Sequence, residues 1–82
     1  VRAFVHVTLA RHSPDNSRRF AELVARTPEV QEAHALTGEA DYLLKVTVRG
    51  LADLAALIND VLLPHESVDR VRSEIVLETL KE

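Results

Sequence analysis

The stretch Gly38-Glu39-Ala40-Asp41-Tyr42 sets two carboxylates one residue apart directly after a glycine. A turn of this kind can hold a carboxylate on its backbone N–H groups while Asp41 meets an ammonium. Together those contacts describe an amino-acid ligand. Gly38 is expected at a left-handed turn position. The same spacing also suits a solvated turn whose Asp41 hydrogen-bonds its own backbone, and composition does not choose between the two. The four histidines, His6, His12, His34 and His65, are scattered, with no i,i+3 or i,i+4 pair. With no cysteine present, thiolate sites and disulfides are excluded and no metal or other cofactor is expected. His34 reads as a structural histidine in a strand. His6 could act as a base in a dimeric α/β-barrel enzyme, but no second acid, base or cofactor feature accompanies it. Arg70 and Arg72 alternate along one segment and suit a solvated or inter-subunit face. Arg18-Arg19 is a surface pair without the interleaved aromatics of a nucleic-acid surface.

These residues need a scaffold, and 82 residues allow one domain. A domain this small buries about 60–65% of its unfolded surface and is marginal alone. With disulfides excluded and no structural metal expected, self-association is the favoured remedy. The net charge of −3 disfavours a nucleic-acid surface on this chain. No apolar run approaches the roughly 20 residues of a membrane span, and no secretion signal is present. The absence of cysteine fits a cytoplasmic protein.

Residues 1–10 alternate, with Val1, Ala3, Val5, Val7 and Leu9 on one side and Phe4 among the residues on the other, which predicts a strand. Ser13-Pro14 is an N-cap followed by proline at the first helical position, and a helix is expected to about Arg26, stopped by Pro28. Its apolar face is Phe20, Leu23, Val24 and Thr27. Residues 29–37 and 41–49 read as strands of an antiparallel hairpin joined by the short turn Gly38-Glu39-Ala40. Tyr42, Leu44, Val46 and Val48 share one face of the second strand. A helix over 51–63 carries Leu51, Leu54, Ala55, Ile58, Val61 and Leu62 at helical spacing and ends at Pro64. Residues 67–81 form a last strand with Val71, Ile75 and Leu77 alternating against Arg70, Arg72 and Glu74. The order is βαββαβ, so the fold class is α+β, ferredoxin-like, with a four-stranded antiparallel sheet and two helices on one face. The bare face, with Phe4, Ala35 or Leu36 and part of the Tyr42 stripe, is expected to be aliphatic and to pair sheet to sheet with a second copy.

Several segments, taken in order, carry a family resemblance. Thr37-Gly38-Glu39-Ala40-Asp41-Tyr42-Leu43-Leu44-Lys45-Val46 resembles the hallmark hairpin of the effector-binding domain of the leucine-responsive/asparagine regulator (Lrp/AsnC) transcription factors. Val1 to Val7 is similar to the opening strand of that domain. Thr27 to Val30 with Glu32-Ala33-His34 resembles the entry to its second strand. Leu62-Leu63-Pro64 to Val68, then Arg70 to Leu77, resembles its closing segment. The resemblance spans essentially the whole chain. It implies sheet-to-sheet dimers that assemble further into tetramers or octamers. It also implies a small effector, commonly an amino acid, bound between dimers near the hairpin. Carried over by position, the effector-binding residues are Gly38, Glu39, Asp41 and Tyr42, with Ser73 on the closing strand. Ala40 departs from the pattern, since an aromatic is common there, and this alters part of the pocket. DNA is reached in that family through a separate helix-turn-helix domain, which residues 1–82 do not contain. The expectation is a non-enzymatic sensing and oligomerisation domain; a ligand-free assembly module is the alternative.

Overall fold

A computed structural model describes all 82 residues, Val1–Glu82. The elements are β1 (Arg2–Leu9), α1 (Pro14–Ala25), β2 (Val30–Ala35), β3 (Tyr42–Thr47), α2 (Leu51–Ala56) continuing into a π-helical segment (Leu57–Leu62), and β4 (Val68–Ile75). The strands form one antiparallel sheet in the order β2-β3-β1-β4. This is the ferredoxin-like βαββαβ arrangement expected from the periodicity.

Alternation in β1 decides the core. Ala3, Val5, Val7 and Leu9 are all buried, and β3 supplies Leu44 and Val46 beside them. Register pairs Val5 with Leu44 and Ala3 with Val46, so these side chains share one face. Helix α1 covers that face with Phe20 and Leu23, and the second helical segment covers it with Leu54, Leu57 and Leu62. The Ser13 hydroxyl caps α1 by accepting from the Asn16 N–H at 3.1 Å, and Pro14 stands at the first helical position.

Four expectations change. The Tyr42 stripe lies on the helix side of the sheet, where Tyr42 packs against Phe20 with ring centroids 4.9 Å apart. The open face is therefore not aliphatic. It carries Arg2, Phe4, His6 and Thr8 of β1, Leu43 and Lys45 of β3, Glu32 and His34 of β2, and Arg70, Arg72 and Glu74 of β4, all placed by register. Only Phe4 and Leu43 are large and apolar among them.

Secondly, the hairpin connection is longer than expected. Strand β2 ends at Ala35 and β3 begins at Tyr42, and the Leu36 N–H donates to the Asp41 carbonyl at 2.9 Å. No residue has positive φ, so Gly38 is not in the left-handed region. A Cβ there would meet nothing within 4 Å, so space does not require glycine either.

Thirdly, the second helix changes winding. The Leu63 N–H donates to the Ile58 carbonyl, five residues back, and Leu57 and Leu62 are both buried. In a regular α-helix two positions five apart would diverge by roughly 140°. The wider winding turns both leucines onto the core, and Pro64 then ends the segment. Leu57 is thus core, while Leu51, expected on the apolar face, is 62% exposed.

Lastly, β4 stops at Ile75. Val76 adds one bond to the Arg2 carbonyl, and the remaining residues run on as a tail that the Arg2 guanidinium holds at Thr79 and Glu82. Leu77 in this tail is 97% exposed.

Candidate functional site

Asp41 sits at the base of the hairpin, where the β1–β3 ladder ends. Its N–H donates to the Val7 carbonyl at 2.9 Å. Its carboxylate then takes the next rung: Oδ2 accepts from the Leu9 N–H at 2.7 Å, in the place a main-chain carbonyl would occupy. His12 Nε2 donates to the same carboxylate, at 2.9 Å to Oδ1 and 3.1 Å to Oδ2. A carboxylate only accepts, so this contact makes Nε2 the protonated nitrogen. Asp41 is thus a latch that ties the hairpin to the end of β1 and to the loop before α1. β1 shifts register against β4 between Thr8 and Leu9, at the same point in the chain.

The other hairpin residues diverge from there. Tyr42 turns to the helix side. Glu39 turns toward the open face, where it lines a concavity of about 200 Å³ with His6, Thr8, Ala40, Arg70, Val71 and Arg72. Ser73 pairs with Val5 and so lies on the helix side of the edge strand β4. Within one chain the sheet separates Ser73 from Glu39. Of the five residues singled out in the sequence, Glu39 alone lines this concavity. Gly38 is in the turn above it, and Asp41 fastens its rim.

Sequence reading did not join Thr8, His6, Arg70 and Arg72 to Glu39. Alternation put each pair on one face of its own strand, but only the pairings His6–Arg72 and Thr8–Arg70 set them side by side. His6 Nε2 donates to Glu74 at 2.8 Å. It is therefore engaged with a neighbouring side chain on the open face of the sheet.

Two larger concavities lie elsewhere. One, of about 760 Å³, is walled by the 76–82 tail together with Arg2, Phe4 and Lys45. Its outer wall is a segment of exposed side chains, so its shape depends on the tail. The other, of about 490 Å³, lies between the β3–α2 connection and the π-helical segment, with Glu29, Asp53 and Asp60 on its walls and the Arg49 Nε donating to Asp53 at 2.9 Å. No group of three histidine, cysteine or acidic side chains is placed to hold a metal ion.

Comparison with known proteins decides the family. The family model described as the Lrp/AsnC ligand binding domain matches residues 2–82. The chain belongs to the Lrp/AsnC family. The leucine-responsive regulatory protein of Escherichia coli is 35% identical over 79 residues, which are 96% of this chain and 48% of that protein. Among solved structures, a Neisseria meningitidis transcriptional regulator in complex with L-Met superposes with a TM-score of 0.93 at 36% identity, over 99% of this chain and 52% of the other. An AsnC family transcriptional regulator from Agrobacterium tumefaciens gives 0.86 at 32%, over 99% and 52%. The chain spans about half the length of the curated relatives it matches. Those relatives are regulatory proteins and not enzymes, which removes the barrel-enzyme alternative for His6. No helix of this Lrp/AsnC domain is long and apolar enough to cross a membrane.

Proposed function

We propose that this Lrp/AsnC domain is the effector-sensing and self-associating part of a cytoplasmic transcriptional regulator. In this reading an amino acid binds at the hairpin, between subunits, and the resulting change of assembly repositions DNA-binding domains carried outside residues 1–82. The observation that carries it is the split of the hairpin motif across the sheet. Glu39 opens to one side, Tyr42 to the other, and Ser73 stands on the helix side of an edge strand. A ligand that uses these residues together needs more than one copy of the chain. Glu39 would come from one subunit and Tyr42 and Ser73 from the helix side of another, with Gly38 and Asp41 in the hairpin that brings them together.

Self-association has its own support. The surface area is 5565 Å². A folded monomer of 9.1 kDa is expected to expose about 4,900 Å². The exposed tail of residues 77–82 contributes to that excess, and Phe4 and Leu43 are the apolar centre of the open sheet face. The relative solved with L-Met favours an amino acid over other small effectors. Linkage then supplies the mechanism: a ligand with higher affinity for one assembly shifts the population toward it.

Thermal unfolding of the purified domain against the twenty amino acids tests this. Ligand at 100 times its dissociation constant adds about 2.7 kcal/mol. In a domain this small that raises the melting temperature by roughly 10 °C or more. The expected result is a rise with one or a few amino acids. No rise with any of them would overturn the sensor reading in favour of an assembly module.

A further inference from the structure

The concavity beneath the hairpin has an unbalanced set of charges. Arg72 faces it from β4 without an ion-pair partner, because Glu74 on the same face is held by His6 at 2.8 Å. Arg70 has only its neighbour Asp69, at 3.8 Å, and both are mostly exposed. Glu39 lines the opposite wall, and it too makes no ion pair or hydrogen bond with the arginines. Thr8 and Ala40 line the same space, and Val71 borders it while its side chain packs on the helix-side core. Three charged groups therefore surround one small space without satisfying one another. Thr8 stands next to Arg70 across the β1–β4 ladder, and the hairpin leads into β3 on the other side of β1. Arginine and Glu39 backbones are thus separated by roughly two strand spacings, or about 10 Å. That span leaves room for a small molecule between the two kinds of charge.

We infer that this concavity binds an acidic amino acid, with its two carboxylates toward Arg70 and Arg72 and its ammonium toward Glu39. The inference rests on the effector-sensing reading and adds the charge class of the ligand. Two guanidiniums and one carboxylate carry a net charge of +1, His6 being committed to Glu74. An acidic amino acid carries two carboxylates and one ammonium, for a net charge of −1, so charge and donor–acceptor count both match. A neutral aliphatic amino acid, with a single carboxylate, leaves one guanidinium unpaired. The volume of about 200 Å³ suits a ligand well below drug size. Ala40 contributes to the fit, because a larger side chain at that position would fill the space.

Calorimetric titration of the domain with L-glutamate, L-aspartate, L-leucine and L-methionine tests the assignment, alongside Arg70→Gln, Arg72→Gln and Glu39→Gln. Circular dichroism and sedimentation velocity check that each variant keeps its fold and assembly. An acidic amino acid is expected to bind at least tenfold more tightly than the neutral ones. Each arginine variant should lose about tenfold or more of that affinity, as expected for a lost charge-assisted hydrogen bond. Glu39→Gln should weaken the amino acid while sparing a dicarboxylic acid that lacks the ammonium. Tight binding of leucine or methionine, unmoved by Arg70→Gln and Arg72→Gln, would overturn this charge assignment and leave the sensor reading standing. Binding of none of the amino acids, in titration or thermal unfolding, would overturn both.

Discussion

At the scale of single residues, Asp41 has a structural task before any ligand arrives. Its carboxylate accepts from the Leu9 N–H and from His12, and its backbone joins β1 and the start of the hairpin. Removing the carboxylate leaves a part-buried N–H without a partner. Asp41→Ala is therefore expected to lose about 1–3 kcal/mol of stability, read from urea unfolding midpoints. Asp41→Asn keeps one acceptor oxygen and should lose less. A change under about 0.5 kcal/mol for the alanine variant, ordinary for an uninvolved surface position, would show that the latch contributes nothing. The latch also links two roles. An effector that moves the hairpin must strain or release a contact with the end of β1.

At the scale of elements, the connection from the π-helical segment into β4 carries a pH response. His65 Nδ1 accepts from the Ser67 hydroxyl at 2.7 Å and from its N–H at 3.2 Å, which requires that nitrogen to be unprotonated. Buried Ser67 in turn gives its carbonyl to the Ala10 N–H and the Asn16 side chain, joining β4 to β1 and α1. Burial holds the His65 imidazole below its ordinary value of 6.5, helped by the positive charges of Arg26 and Arg19. The folded state then binds fewer protons than the unfolded state just below pH 6.5, so stability falls as pH falls through that window. Asp15 and Glu32 are lowered by hydrogen bonds to Arg18 and His34, and their contributions are lost only at pH values below 3.8 and 4.5. Unfolding midpoints measured between pH 7.5 and 5.5 should therefore decline in the wild type. The decline should be shallower in His65→Asn. Equal slopes for the two proteins would remove His65 as its source.

At the scale of the whole molecule, 15 of 82 residues are buried, a thin core for a domain that must persist in water. The edges of the sheet, β2 and β4, and the open face between them are where a second copy can add burial. Phe4 is 38% exposed at the centre of that face, between Lys45 and Glu74 across the ladder. Phe4→Glu is expected to weaken self-association at least tenfold by sedimentation velocity, since a buried aromatic anchor contributes on the order of 2 kcal/mol. If the wild-type chain remains a monomer at high micromolar concentration, the open face is not a dimer surface. If the variant associates as well as the wild type, Phe4 is not at its centre.

The βαββαβ order was legible in the chain because each signal is local. Val1 to Leu9 alternates, Ser13-Pro14 opens a helix, and Pro28 and Pro64 close two. The family resemblance was legible for a related reason, as it lies in contiguous runs such as Thr37 to Val46. What stayed hidden depends on residues far apart in sequence. The open face proved polar because pairing with Val7 and packing against Phe20 commit Tyr42, and its whole stripe with it, to the helix side. Leu57 became core because i→i+5 winding, invisible to a count of 3.6 residues per turn, aligned it with Leu62. Asp41 reads in sequence as a ligand contact or a turn acid bonded to its own backbone, yet it takes a rung of the ladder that only the meeting of β1 and β3 leaves open. Glu39, Thr8, Arg70 and Arg72 come from three separate segments, and register alone gathers them. Local spacing determines which elements form, whereas the faces they share follow from strand pairing, a property of two segments at once.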